Sequence, residues 1–381
     1  MEMRNGKYRI LYVTPWAELG GAEVMLFNIV KYHNRTRFEP VVCFLRPGPL
    51  VERMRELDCE VVVVPTGRMR QLSATLRAIT SLRTLIRQSN IALVHSSMAW
   101  AHAFGGSAAW LAGVPAVWFQ HGYAAGRTML DRVAGRIPAH SLYVNSQSTE
   151  RAQRAVHTAA RSVQLVYCGL DMNRWVLDPA TGLALRHEFS IPEHSTLIVM
   201  PGRLERWKGQ HIFIEAAAQV LQQHPDSRFL IVGDTLFSLA PEYKEELRAQ
   251  VERLGLTEQI KFAGMREDMV AIYSAADIVI HASLTPEPFG LIIAEAMAMR
   301  RPVIASDSGG PQEIVISGET GYLVPSGDIT TLAARIMELI NTPQLRADMG
   351  AAGYTRVHER FSMERVIAQL ETDYEQILTK K

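Results

Sequence analysis

"ADIVIHASLTPEPFGLIIAEAMAMRRPVIASD", residues 276–307, places a strand, a loop, a helix and a second strand in one short run. The segments IVIHAS and RPVIASD are almost continuously apolar, as expected of parallel strands that are covered on both faces. The helical segment LIIAEAMAM between them predicts a βαβ crossover, which makes the two strands parallel members of one sheet. The stretch therefore favours a doubly wound α/β fold.

The same alternation extends in both directions along the chain, in two series. Strand-like runs of the first series lie at 8–14, 39–45, 60–65, 91–97, 115–122, 141–146 and 162–169. Those of the second lie at 195–203, 227–234, 259–264, 276–283, 301–307 and 321–325. Helical patterns separate most of them, so the sequence predicts two Rossmann-like domains. Because ligands bind beyond the carboxyl ends of such strands, we expect the domains to face each other across a binding cleft.

The point between the two series sets the expected domain boundaries. Residues 1–173 form the predicted N-terminal domain, and residues 195–360 form the predicted C-terminal domain. The segment 174–194, with two prolines and a glycine, is expected to link them. A C-terminal helix at about 361–381 is expected to pack back on the first domain.

The charge and the cysteine content of the chain indicate its cellular compartment and the kinds of partner it can bind. Residues 1–191 hold 22 basic and 13 acidic residues, a net charge of +9, whereas the remainder carries −8. This asymmetry indicates two modules with different partners. Three cysteines without metal-ligand spacing favour a reduced, cytoplasmic setting. The sequence shows no signal peptide and no spanning segment, so we expect membrane contact only from the surface, on the inner face.

Two features of the first domain follow strands. Gly20 and Gly21 precede a helix, where glycine lets the backbone approach a ligand and the helix N-terminus offers N–H groups to an anion. A tight βα turn explains the pair equally well. His121 follows the fifth strand and precedes a glycine, which predicts a site role, although a structural histidine is the alternative.

Two cations follow the first strand of the second domain. Arg203 and Lys208 lie in PGRLERWKGQ, just before a predicted helix. The helix dipole disfavours cations at its N-terminus, so their placement there points to an anionic ligand such as a diphosphate. The alternative is a solvated basic turn.

Two glutamates lie eight residues apart in the opening stretch. Glu287 lies in the loop after a strand, and Glu295 lies in the following helix on an apolar face. A carboxylate on such a face needs a partner or a ligand. A vicinal diol is a suitable ligand, because one carboxylate can accept hydrogen bonds from both hydroxyl groups.

Backbone groups near these glutamates predict phosphate contacts. The N–H groups of Phe289, Gly290 and Leu291 are expected at a helix N-terminus. Gly309 and Gly310, after the next strand, form a second turn that can accept phosphate. No Asp-x-Asp metal signature occurs, so we expect no metal site.

Taken together, these motifs resemble those of the retaining GT-B glycosyltransferases of family 4, the glycosyl transferases group 1. The resemblance covers nearly the whole chain through the segments GGAE, HG, GRLERWKG, VGD, EPFGLIIAEAMA, SGG and TGYLVP, in the family's order. Two segments depart from the family pattern. Cys168 replaces the usual asparagine before the linker, and GDTLFS at 233–238 replaces a glycine-rich turn.

The resemblance implies roles for the individual residues. Glu287 is expected to contact hydroxyl groups of a donor sugar, Glu295 to hold the nucleotide ribose, and Gly309 and Gly310 to lie near the diphosphate. It also implies metal-independent, front-face transfer with retention at the anomeric carbon.

One predicted helix is not explained by these motifs. Residues 67–88 place Leu72, Leu76, Ile79, Leu82 and Ile86 on one face, with Arg70, Arg77, Arg83 and Arg87 beside it. No acidic residue occurs between Val61 and Leu130. The simpler interpretation is an apolar stripe that covers the sheet. The alternative is a surface for anionic lipid or a polyanionic acceptor.

The sequence thus predicts a glycosyltransferase that moves a sugar from a UDP-sugar or GDP-sugar to an acceptor in glycan, polysaccharide or glycolipid biosynthesis. Arg203 and Lys208 are expected to stabilise the leaving diphosphate, with Glu287 and His121 beside the reacting sugar. No separate cofactor and no nucleic-acid partner are expected. Two alternatives remain: a sugar-nucleotide epimerase or hydrolase on the same fold, and a non-catalytic nucleotide-sugar-binding protein.

Overall fold

The computed structural model describes residues 6–18, 20–67, 71–123, 128–235 and 241–379. The chain divides into two compact units. The first comprises Met1–Gly169 and Met363–Lys381, and the second comprises Leu170–Ser362. Each unit contains one parallel sheet with helical crossovers, which confirms the predicted α/β fold with two Rossmann-like units.

The described part of the first unit holds a seven-stranded sheet in the order β3-β2-β1-β4-β5-β6-β7. Its strands are β1 Tyr8–Thr14, β2 Phe38–Phe44, β3 Glu60–Val63, β4 Ile91–Ser97, β5 Ala116–Gln120, β6 Ala139–Val144 and β7 Ala160–Leu165. The strand order reverses between β1 and β4, where doubly wound sheets bind ligands at the carboxyl edge.

Seven helices accompany this sheet in the described residues. They are α1 Gly21–Tyr32, α2 Leu50–Arg55, α3 Leu72–Gln88, α4 Met98–Ala112, α5 Met129–Ala134, α6 Gln147–Arg154 and the last helix of the chain, α15 Met363–Thr379. The core on one face joins β-strand residues such as Leu11 and Val13 to Leu82, Ile86 and Phe104 of α3 and α4.

Buried hydrogen bonds hold α15 in the first unit. The Tyr374 hydroxyl lies 2.5 Å from Nδ1 of His95 on β4. The Tyr143 hydroxyl donates to Asp373 at 2.5 Å. Because these groups are removed from water, breaking either contact leaves a buried polar group unpaired, which costs about 1–3 kcal/mol. The chain therefore returns to the first unit after completing the second.

The described part of the second unit holds a six-stranded sheet in the order β10-β9-β8-β11-β12-β13. Its strands are β8 Leu197–Pro201, β9 Arg228–Val232, β10 Ile260–Gly264, β11 Ile278–His281, β12 Val303–Ser306 and β13 Gly321–Val324. Here the order reverses between β8 and β11, which pair directly. The residues that follow these two strands are therefore neighbours at the carboxyl edge.

The helices described in the second unit are α7 Pro179–Glu188, α8 Gln210–Leu221, α9 Pro241–Arg253, α10 Met269–Ala275, α11 Leu291–Ala298, α12 Pro311–Ile314, α13 Ile329–Asn341 and α14 Pro343–Phe361. The segment 174–194, expected as a linker, contains α7. This helix packs on α10, where a Cβ at Gly182 would stand 2.8 Å from the backbone of Ser274. Arg186 anchors the helix through an ion pair with Asp277 at 2.7 Å.

Helix α3 covers the sheet with only part of its predicted apolar face. Leu82 and Ile86 are buried, but Leu72 is 74% exposed and Leu76 is 64% exposed. Since α3 returns from β3 to the parallel strand β4, its first turns lie toward the carboxyl edge of the sheet. Of the four arginines named for this helix, Arg70 lies outside the described residues. Among the helices described, none has the length and apolarity needed to cross a bilayer.

Candidate functional site

An ion pair between two neighbouring strand ends forms the centre of the site. Lys208 ends a 3₁₀ turn, Arg206–Lys208, that follows β8. Glu287 lies in the loop that follows β11. Nζ of Lys208 donates to Oε2 of Glu287 at 2.6 Å. The two side chains are 16% and 14% exposed, so solvent screens this pair less than a surface pair.

Gly209 allows Lys208 to approach this edge. Its φ of +81° lies in the left-handed region, and a Cβ there would stand 2.1 Å from the carbonyl oxygen of Ala282. Both the backbone angle and the close approach therefore favour glycine. The N–H of Leu284 donates to the carbonyl of Trp207 at 2.7 Å, which ties the 3₁₀ turn to the loop after β11.

Three donors converge on one oxygen of Glu287. In addition to Lys208, Ser283 Oγ donates to Oε2 at 3.2 Å, and Nε2 of His281 lies 3.4 Å from it. Burial alone would raise the pKa of Glu287, but the hydrogen bond from His281 and the charge of Lys208 lower it to about 2. The carboxylate is therefore ionised at neutral pH and can only accept hydrogen bonds.

Arg203 lies in the segment between β8 and the 3₁₀ turn. Its guanidinium is 49% exposed and pairs with Glu205 at 3.2 Å. Glu205 also accepts a hydrogen bond from Nε1 of Trp207 at 2.6 Å, and the ammonium of Lys208 lies 4.1 Å from the centre of the Trp207 ring. Residues 203–208 therefore carry one largely buried cation, Lys208, and two more exposed cations, Arg203 and Arg206.

The double glycine supports the loop that carries Glu287. The N–H of Gly310 donates to the carbonyl oxygen of Glu287 at 2.8 Å. A Cβ at Gly310 would stand 2.4 Å from the carbonyl oxygen of Phe289, and Gly309 has a φ of +79°. The structure thus gives Gly310 a packing role between two loops, because its N–H is engaged within the protein.

Residues 289–291 form the start of α11. Phe289 is buried, and its ring packs edge-on against Phe361 with centroids 5.7 Å apart. Gly290 caps the helix with a φ of +105°, and Leu291 is its first residue. The N–H of Ile293 donates to the carbonyl oxygen of Gly290 at 3.0 Å. The N–H groups of Leu291 and Ile292 have no partner within the helix, so this end of α11 can donate to an anion.

Glu295 lies in the second turn of α11, half-buried. The hydroxyl of Tyr273, which is fully buried, donates to Oε2 of Glu295 at 2.9 Å. Burial raises the pKa of Glu295, while the hydrogen bond from Tyr273 and the charge of Arg174 act in the opposite direction. Trp175 packs edge-on against Tyr273, with ring centroids 5.7 Å apart.

The other predicted site residues belong to the first unit. Gly20 caps α1 and Gly21 is its first residue. A Cβ at Gly20 would stand 2.7 Å from Oε2 of Glu23, so a side chain there would disturb a buried carboxylate. His121 follows β5, and its ring stacks on Phe119 with centroids 4.1 Å apart. Burial lowers the pKa of His121 to about 3, so the imidazole is neutral at pH 7.

The acidic, histidine and cysteine side chains of the described residues form no metal-binding group of three or more. The candidate ligand-binding groups of the second unit are instead Arg203, Lys208, Glu287, Glu295 and the start of α11. This set suits a ligand with a diphosphate and several hydroxyl groups.

Two family models and several known proteins match this chain. The family model described as Glycosyltransferase Family 4 matches residues 19–174, and the model described as Glycosyl transferases group 1 matches residues 184–356. One relative is the GDP-mannose-dependent monoacylated alpha-(1-6)-phosphatidylinositol monomannoside mannosyltransferase of Corynebacterium glutamicum. It is 30% identical over 81% of this chain and 82% of its own length. The chain belongs to glycosyltransferase family 4.

Two further proteins are similar to this chain. The D-inositol 3-phosphate glycosyltransferase of Corynebacterium urealyticum is 34% identical over 57% of this chain. The alignment spans 52% of that relative, and the chain spans about half the length of most curated relatives it matches. The Alr3699/HepE protein of Anabaena, solved with UDP and glucose, is 28% identical with a TM-score of 0.85, over 96% of this chain and 99% of that one.

Sequence reasoning missed the residues that hold the two glutamates. His281 and Ser283 contact Glu287, and a signal for them existed, since they are polar residues at the end of the buried run IVIHAS. Tyr273 contacts Glu295 from α10, twenty-two residues earlier in the chain. No sequence spacing links those two positions, because strand β11 lies between α10 and α11.

Proposed function

We propose that this family 4 member transfers a sugar from a nucleoside-diphosphate sugar to an acceptor hydroxyl, with retention at the anomeric carbon and without a metal ion. The second unit binds the donor, and the first unit contributes the acceptor surface. The Lys208–Glu287 pair at the adjoining ends of β8 and β11 carries the proposal. It puts a cation for the diphosphate next to a carboxylate for sugar hydroxyl groups.

The chemistry proposed for this pair is leaving-group stabilisation. The bond between the anomeric carbon and the diphosphate oxygen breaks, and the acceptor oxygen bonds to the same carbon from the same face. The acceptor proton passes to the departing phosphate. Lys208 and Arg203 stabilise the negative charge that grows on the diphosphate, which is the role a metal ion plays elsewhere. The neutral imidazole of His121 suits a hydrogen bond to an uncharged sugar hydroxyl.

The ribose is assigned to Glu295 and the phosphates to the start of α11. Glu295 has a fixed orientation because Tyr273 binds one of its oxygens. A carboxylate held in this way can accept hydrogen bonds from two vicinal hydroxyl groups. The Anabaena structure with UDP and glucose supports a nucleotide-sugar donor, and the mannosyltransferase relative makes GDP the second candidate.

The experiment that tests this function is a thermal-shift panel of UDP, GDP, ADP and TDP with the full chain. We expect UDP or GDP to raise the melting temperature, because a ligand at 100 times its dissociation constant stabilises the folded state by about 2.7 kcal/mol. The corresponding nucleoside monophosphate is the control, and its shift should be smaller. If no nucleoside diphosphate changes the melting temperature, the proposal is wrong.

The acceptor is proposed to be anionic or membrane-bound. On α3, spacings of four, seven and four residues put Leu72, Leu76, Arg83 and Arg87 along one stripe. The two leucines are largely exposed, and Arg87 is exposed. Exposed leucines beside arginines suit the interface of an anionic bilayer.

We therefore expect the protein to co-sediment at low salt with vesicles that contain anionic lipid. Each basic residue near such a surface contributes about 1 kcal/mol, and salt screens this attraction. The variant carrying Leu72→Gln, Leu76→Gln and Arg87→Gln should lose vesicle binding and keep nucleotide binding. A variant with Arg248→Gln, in the second unit, is the control. If the wild-type protein ignores anionic vesicles at low salt, the acceptor is soluble and α3 is an ordinary surface helix.

A further inference from the structure

His281 is a buried residue that none of the proposed ligand contacts uses. It is the last residue of β11 and is only 4% exposed. Nε2 lies 3.0 Å from Oγ of Ser283 and 3.4 Å from Oε2 of Glu287. Nδ1 has no hydrogen-bond partner among the described residues. The ring thus has one nitrogen at the functional carboxylate and one nitrogen that the protein leaves unpaired.

The charge of Glu287 fixes the tautomer of this ring. A carboxylate only accepts hydrogen bonds, so a lone pair on Nε2 would face an anion and be repelled. Nε2 must therefore carry a proton, which it can share between Ser283 and Glu287. In the neutral imidazole, Nδ1 then carries the lone pair and needs a donor.

A small cavity adjoins His281 and can provide that donor. Its volume is about 10 Å³, and its lining also includes Ser306 and Asp328. This volume is about the smallest that holds one water molecule, and a buried water needs two to four polar partners. The lining includes polar residues from the ends of β11 and β12 and from the loop before α13.

We propose that His281 is a positioning residue that fixes the rotamer of Glu287, and that one water molecule in the adjoining cavity holds its Nε2–H tautomer. The inference rests on the proposed role of Glu287 toward the donor sugar. His281 acts through Glu287 and does not contact the donor. A histidine that binds a metal is commonly oriented by a hydrogen bond at its other ring nitrogen. Here the water molecule at Nδ1 orients the imidazole of His281 in the same way, and the imidazole in turn orients the carboxylate of Glu287.

Two substitutions separate the contributions of the two nitrogens. The side-chain nitrogen of glutamine lies as many bonds from Cα as Nε2 does, so His281→Gln can still donate to Glu287. The nitrogen of asparagine corresponds to Nδ1, so His281→Asn leaves Glu287 without this donor. With UDP-glucose, or the sugar nucleotide that the thermal-shift panel selects, we expect His281→Gln to keep kcat/KM within about threefold of the wild type. His281→Asn should lose about tenfold, the loss of one charge-assisted hydrogen bond.

A double-mutant cycle with Glu287→Ala is the decisive measurement. If His281 acts through Glu287, His281→Asn should have no further effect on kcat/KM in the Glu287→Ala protein. Binding of the bare nucleoside diphosphate by each variant shows that it is folded. The inference is wrong if His281→Asn lowers kcat/KM equally in the wild-type and Glu287→Ala proteins. It is also wrong if His281→Gln and His281→Asn lower kcat/KM equally. If Glu287→Ala alone loses nothing, the proposed sugar contact itself is wrong, which is a distinct outcome.

The tautomer gives an independent spectroscopic test. In protein labelled with [15N]histidine, the ring nitrogen shifts of His281 should show the proton of the neutral ring on Nε2 and none on Nδ1. The shifts should change in Glu287→Ala, since the anion that fixes the tautomer is then gone. A proton on Nδ1 alone in the wild-type protein would contradict the proposed hydrogen bond.

Discussion

Lys208→Gln is expected to lower kcat for sugar transfer by about 10²–10³-fold, the effect of removing one preorganised donor from a developing oxyanion. The reason is geometric, because Gly209 and the Trp207 ring fix the ammonium at the strand edge. Glutamine can still donate to Glu287, so the carboxylate keeps a partner. We therefore expect a loss of only about 1 kcal/mol in the free energy of unfolding. Initial rates at saturating donor and a thermal melt measure the two effects.

Lys261→Gln is the matched control for this experiment. Lys261 is also in the second unit and also pairs with a glutamate, Glu258, at 3.3 Å. Glu258 is largely exposed and lies in the turn before β10, away from the carboxyl edge of the sheet. The control should transfer sugar at the wild-type rate. If Lys208→Gln also does so at saturating donor, Lys208 does not stabilise the leaving diphosphate.

Glu287→Gln and Glu295→Gln are expected to separate the sugar from the nucleotide. Glu287→Gln should lower kcat/KM for the sugar nucleotide by about 10–100-fold, since a charged acceptor contributes about 1.5–3 kcal/mol per hydrogen bond. Its dissociation constant for the bare nucleoside diphosphate should not rise. Removing the charge of Glu287 frees Lys208 from its ion pair and leaves it more available to phosphate.

Glu295→Gln should behave in the opposite way. It should raise the dissociation constant for the bare nucleoside diphosphate by about 10–100-fold, because the ribose is common to both ligands. Calorimetry with the nucleotide and with the sugar nucleotide provides the comparison. Equal losses of bare nucleotide affinity in the two variants would contradict the division of roles between the glutamates.

Much of the fold could be predicted because its central strands are buried on both faces. The strands at 8–14, 91–97 and 197–201 are buried along almost their whole length, and their sequences are rich in apolar residues. Helix α3 shows the limit of such patterns. Its apolar period predicts one face, of which Leu82 and Ile86 are buried and Ile79 packs against the same core. Leu72 and Leu76 of that face are largely exposed.

The candidate site residues could be placed after particular strands from the sequence, but their contacts could not be predicted. Lys208 and Glu287 stand after strands that are far apart in sequence, and their pairing depends on the β8–β11 adjacency that only the sheet order provides. Gly209 could be identified as a turn residue, but its closeness to the Ala282 carbonyl could not. Likewise, the unpaired nitrogen of His281 depends on packing from β12 and the loop before α13, which the sequence alone does not reveal.

We propose that the second unit holds a nucleotide sugar with its diphosphate at Lys208 and its sugar at Glu287. The most direct test is a crystal structure of the protein with the sugar nucleotide selected by the thermal-shift panel. We expect a phosphate oxygen within hydrogen-bond distance of Nζ of Lys208, sugar hydroxyl groups at the carboxylate of Glu287 and the ribose at Glu295. A donor bound elsewhere, or bound with its sugar directed away from Glu287, would show that these roles are wrong.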